Sequence, residues 1–134
     1  MSSSHAQHPP RPLIAIVDDD AMVCRALKRI VSSLGIQAET FSGARAFIDA
    51  LDHGPSFQPA CVVLDMHMPD LSGLAIQKHL ASSRPAVPVI FLSGCIKMHE
   101  REQALAAGAL AVFHKPLCDD MQAFITVLTA ALKR

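Results

Sequence analysis

No apolar run in this 134-residue chain approaches the roughly 18 to 20 residues that a helix needs to cross a bilayer. The first twelve residues are polar and proline-rich, and they offer no apolar segment that could serve as a secretory signal. Neither membrane insertion nor export is expected, so a cytoplasmic location is. Cysteine is sparse and dispersed. Cys24, Cys61, Cys95 and Cys118 form no close pair, which argues against a zinc knuckle or redox dithiol and for reduced thiols. An excess of either charge is missing as well. Twelve basic residues balance twelve acidic ones, so no overall field draws the chain towards nucleic acid or an anionic membrane, and direct nucleic-acid binding is not expected. The seven histidines are scattered, and close pairs such as His5 and His8 fall in residues 1–12, expected to form a flexible N-terminal tail. A histidine metal site is therefore not indicated.

What the chain does have is apolar residues, just over half of the total, enough for one buried core at this length. From Leu13 onward, short apolar runs alternate with longer segments of helical period. That pattern predicts one α/β domain over residues 13–134, with a parallel sheet covered by helices on both faces. Predicted strands cover residues 13–17, 36–41, 61–64, 87–92 and 110–114. Between them, Val23, Leu27, Ile30 and Leu34 share one helical stripe that Gly35 stops. Ser42 is placed to cap a helix carrying Phe47, Ile48 and Leu51. A loop over 68–73 leads into a helix with Leu74 and Leu80, and Gly108 ends an alanine-rich fourth helix. The last helix puts Met121, Phe124, Ile125, Leu128 and Leu132 on one face.

The polar residues are informative through where they fall. Asp18, Asp19 and Asp20 follow the first strand, Asp65 the third, Ser93 the fourth and Lys115 the fifth. All lie at carboxyl ends, where open parallel sheets bind ligands. With strand order 2-1-3-4-5, the four strands bearing these residues are contiguous and the one without is at the edge. A carboxylate cluster at the mouth of an apolar sheet repels itself unless a cation is present, and oxygen ligands favour Mg2+ over zinc. Lys115 supplies a fixed second positive charge. An aspartate can act as a nucleophile towards phosphorus, with metal and ammonium offsetting charge on the transferred group. Asp20 reads more simply as a helix cap.

The segments IAIVDDD, VVLDMHMPDLSG, FLSG and AVFHKP resemble the signatures of the receiver domain of two-component response regulators. The resemblance runs from about Leu13 to the C-terminus and implies a doubly wound, flavodoxin-like α/β fold. It further implies that Asp65 is the phosphoacceptor, that Asp18 and Asp19 are the acidic pair, and that Mg2+ is held by Asp18, Asp19, Asp65 and the backbone carbonyl of His67. Ser93 matches the family's hydroxyl switch position. Lys115 matches its lysine, whose bond to Pro116 is usually cis. The implied partners are a sensor histidine kinase or phosphotransfer protein, and a downstream effector that binds the face formed by the fourth helix, fifth strand and fifth helix. Enzymatic output is not implied beyond autocatalytic phosphoryl transfer and dephosphorylation.

One position departs from the family pattern. Three residues before the lysine, where an aromatic usually moves with the hydroxyl, stands Val112; Phe113 is one place too late and must face the other side of its strand. The side chains of His67 and Cys95 read as partly exposed rim residues without a chemical role. Two other functions compete. A Mg2+-dependent phosphatase with an aspartate nucleophile resembles the haloacid dehalogenase type, which places a second aspartate where this chain has His67. A receiver-like scaffold that is never phosphorylated would not need the nearly full acidic set.

Overall fold

The computed structural model describes residues 12–133. The tail expected over residues 1–12 lies, apart from Pro12, outside the described residues. Among the described residues five strands and five helices alternate: β1 Leu13–Val17, α1 Ala21–Ser33, β2 Gln37–Phe41, α2 Ala44–His53 and β3 Cys61–Asp65, followed by α3 Gly73–Ser83, β4 Val89–Ser93, α4 Met98–Ala106, β5 Ala111–His114 and α5 Met121–Leu132. The sheet is parallel throughout, in the order β2-β1-β3-β4-β5. This is the doubly wound order expected from the sequence.

Strand alternation divides the core into two layers. Ala15, Val17, Val62, Leu64, Phe91 and Val112 point to the side covered by α2, α3 and α4, where Phe47, Leu51, Ile76 and Leu80 pack. Ile14, Ile16, Val63, Ile90, Leu92 and Phe113 point to the other side, against Leu27 and Val31 of α1 and Phe124 and Leu128 of α5. β1, β3 and β4 are apolar on both faces because both are covered. Phe113 meets Phe124 edge-on, with ring centroids 5.8 Å apart. Val112 and Phe113 thus belong to opposite layers, and no ring stands at position 112.

Three strands begin later than the periodicity suggests, β2 and β5 by one residue and β4 by two. Val87 spends its N–H on the carbonyl of Arg84, and Pro88 has no N–H, so β4 starts at Val89. Ile36 donates back to Val31 as part of the α1 terminus, which leaves Gln37 to open β2. Gly35 and Gly108 stop their helices as expected, at φ +77° and +104°.

The Ser42 cap is not formed. α2 begins after Gly43 without a capping side chain of its own. Its first amides are taken by Asp70, from the loop after β3: Ala44 and Arg45 donate to the two carboxylate oxygens at 3.4 and 3.1 Å. A carboxylate suits the positive end of a helix better than a hydroxyl, and the fold brings one there from a distant segment.

Candidate functional site

The site is built where β1, β3, β4 and β5 end side by side. Register pairs Val17 with Leu64, Asp65 with Leu92, and Ser93 with His114, so the next residues of each strand share one rim. Main-chain bonds carry the ladder outward: Asp18 donates to the Phe41 carbonyl at 3.0 Å, Met66 to Leu92 at 2.9 Å, and Lys115 to Ser93 at 2.9 Å. The rim is therefore held by backbone bonds before any side chain interacts.

Asp18, Asp19 and Asp65 converge there, each offering a carboxylate oxygen within 4.8 Å of the others. Asp18 and Asp65 are buried at 1 % and 4 % exposure, whereas Asp19 is exposed. Lys115 Nζ lies 2.7 Å from Asp18 Oδ2 and 3.3 Å from Asp65 Oδ1. The Lys115 ammonium is the partner that faces the buried Asp18 Oδ2, and no other donor among the described residues is recorded on that oxygen. Asp18 Oδ1 accepts the Asp20 N–H at 2.9 Å, and Asp65 Oδ1 the His67 N–H at 3.3 Å. Asp20 caps α1 through the N–H groups of Met22 and Val23, as the sequence suggests.

The electrostatics follow from this crowding. Burial, and then the neighbouring Asp18 charge, raise the pKa of Asp65 to about 6, against the opposing pull of Lys115 and the His67 N–H. Burial alone would lower the Lys115 pKa, but its two carboxylate partners outweigh that effect and hold it above the ordinary lysine value. The donors are hard carboxylate oxygens from three residues, two buried and one exposed. That set fits a small divalent cation with oxygen preference.

The neighbouring loop is pinned to the end of β3 by a close approach. Gly73 N donates to the Met66 carbonyl at 2.9 Å. A Cβ at Gly73 would fall on the Asp65 carbonyl oxygen and lie 2.9 Å from Met66 Cα and Phe91 Cε1, so only glycine fits. The Lys115–Pro116 bond is cis.

Ser93 is the last residue of β4 and is wholly buried. Its hydroxyl is committed to the following loop: it donates to the Cys95 carbonyl at 2.8 Å and accepts the Cys95 N–H at 3.2 Å. The structure brings Asp18, Asp19, Asp65 and Lys115 together but leaves Ser93 facing its own loop. The His67 ring is partly exposed at the rim, yet it is engaged. Nε2 lies 2.9 Å from both carboxylate oxygens of Glu100 in α4, and Nδ1 lies 3.4 Å from Ser93 Oγ. Sequence reasoning missed Glu100, because nothing in a single helix turn signals a partner thirty-three positions away.

Comparison with known proteins agrees with this geometry. Residues 14–131 match the family model described as the response regulator receiver domain. The chain belongs to that family. Among its relatives, this receiver domain is 37% identical over 108 residues to the response regulator protein TmoT of Ectopseudomonas mendocina, covering 81% of this chain and 48% of TmoT. It is 35% identical over 121 residues to TodT of Pseudomonas putida, covering 90% of this chain and 51% of TodT. The chain thus spans about half the length of the curated relatives it matches. A solved response regulator receiver protein from Burkholderia phymatum superposes with a TM-score of 0.79 at 43% identity, covering 92% of this chain and 96% of that one. The BeF3-activated DrrB receiver domain superposes at 0.80 with 25% identity, covering 93% and 100%. The protein is a receiver domain of two-component signalling, and among the described residues no helix is long and apolar enough to cross a membrane.

Proposed function

We propose that this receiver is a phosphorylation-dependent switch that accepts a phosphoryl group on Asp65. The observation that carries the reading is a buried carboxylate held between a second buried carboxylate and an ammonium, at 3.3 Å from the latter. Asp65 Oδ attacks phosphorus in line, the bond to the donor's leaving group breaks, and that group departs with the electron pair. Lys115 offsets charge on the equatorial oxygens, and Ser93, at the end of β4 beside β3, supplies a hydroxyl to them.

Mg2+ would be held by Asp18, Asp19, Asp65 and the His67 carbonyl, and when bound it supplies electrostatic stabilisation to the phosphoryl oxygens. Asp18 then has two duties, one towards the cation and one towards Lys115. The donor is a sensor histidine kinase or phosphotransfer protein in the cytoplasm, and an effector reads the face formed by α4, β5 and α5. The relative named as BeF3-activated supports the reading, since beryllofluoride imitates a phosphoryl group.

Incubation with acetyl phosphate and Mg2+, followed by intact mass and peptide mapping, tests the proposal. One phosphoryl group on Asp65 is expected. Absence of uptake by the wild type, or equal uptake by Asp65→Asn, refutes it.

A further inference from the structure

Little apolar surface holds α4 to the domain. Of its residues only Ala104 is buried, and the residue before its first turn, Lys97, makes no side-chain cap. Polar ties fasten it instead. Gln77 of α3, itself buried, donates to the Ala104 carbonyl at 3.0 Å. Arg101 donates to the Val112 carbonyl on the edge strand β5 at 3.1 Å. Glu100 takes the His67 ring through both carboxylate oxygens. The third tie differs from the other two, because the same ring also reaches Ser93. One imidazole therefore spans from the hydroxyl at the site to the first turn of α4.

We propose that the His67–Glu100 pair is a latch that holds α4 in place while Asp65 is unmodified, and that phosphorylation opens it. This rests on the reading of Asp65 as phosphoacceptor. A phosphoryl group on Asp65 adds strong acceptor oxygens two residues from His67. Ser93 leaves Cys95 to meet those oxygens, which removes the contact at Nδ1. The new anion then competes with Glu100 for the ring. When Glu100 is released, α4 keeps only its two carbonyl ties and one buried alanine. With Val112 in place of an aromatic, the latch gives the site a side-chain connection to α4 that needs no ring on β5.

Amide hydrogen exchange over α4 in the full chain tests the latch. The wild type, Glu100→Ala, His67→Ala and the double variant are compared in Mg2+, with and without beryllofluoride, beside intact-mass measurements after acetyl phosphate treatment. Without beryllofluoride each single variant should exchange its α4 amides about fivefold faster than wild type, the size of one partly exposed ion pair. The double variant should be no faster than the singles, and with beryllofluoride all four proteins should behave alike. A residue that merely stabilised the helix would speed exchange in both states, and two such residues would add. Additive effects, effects that persist with beryllofluoride, or wild-type α4 exchange that ignores beryllofluoride would each overturn the latch. Phosphoryl uptake on Asp65 with unchanged α4 exchange sinks the latch alone. No uptake by the wild type removes the acceptor reading and the latch together.

Discussion

The carboxylate of Asp70 accepts the backbone N–H of Arg45 at 3.1 Å, joining the loop after β3 to the first turn of α2 across twenty-five positions of sequence. The loop that carries His67 is thereby anchored at its far end by a helix on one side of the sheet.

Removing that anchor has a predictable cost. Asp70→Ala should destabilise the domain by about 1 kcal/mol, the usual size of a lost N-cap, and Asp70→Asn by much less because an amide oxygen still accepts. The Arg45 N–H holds the Asp70 carboxyl below the usual carboxylate range. Its contribution is therefore full above about pH 4, the unfolded value, and lost as pH falls through the lower folded value. Urea denaturation of the three proteins at pH 7, repeated down to pH 3, measures both effects.

Asp65 behaves in the opposite sense. Its folded pKa of about 6 lies above the unfolded value, so the proton binds more tightly to the folded chain. Stability tied to this proton is complete below about pH 4 and lost as pH rises through 6. Asp65→Asn removes the charge while keeping the shape. In EDTA it should be more stable than wild type by on the order of 2–3 kcal/mol at pH 7, with the gap closing towards pH 4. A gap that stayed constant with pH would show that burial and Asp18 do not strain the carboxylate.

Lys115 is the cation that the two buried carboxylates share. Lys115→Ala leaves like charges facing each other, so the apo protein should lose about 2–4 kcal/mol. Mg2+ should recover more stability in this variant than in wild type, because the ion replaces charge that the wild type already has. Thermal melts with EDTA and with saturating Mg2+ give the comparison; equal recovery would mean that Lys115 and the metal site act independently.

Gly73→Ala places a methyl against the Asp65 carbonyl. It should cost about 3 kcal/mol, the upper part of the range for overpacking, since backbone rather than a flexible side chain must move. The same variant should slow phosphoryl uptake from acetyl phosphate, as the obstructed carbonyl belongs to Asp65, the proposed acceptor.

Much of this was legible in the chain because strand ends carry their own punctuation. Asp18, Asp65 and Lys115 each interrupt an apolar run, and parallel alternation brings the ends of such runs to one side of the sheet. The separation of Val112 from Phe113 followed from the two-residue period of a strand. What escaped depends on partners remote in sequence. Ser42 has the right chemistry to cap α2, yet Asp70 does so from across a loop. Likewise Gln77 on α3 is nearly as buried as its apolar neighbours, because a carbonyl of α4 is within reach of its amide. His67 looks like a rim residue until Glu100 stands opposite it. No local pattern encodes these pairs, since each exists only after two helices or loops have met.

A helix fastened by polar ties and a single buried methyl is also free to change. Apart from Ala104, residues on α4 can be exchanged one at a time without repacking the interior, so the response of this surface can be altered while the carboxylate rim is left intact.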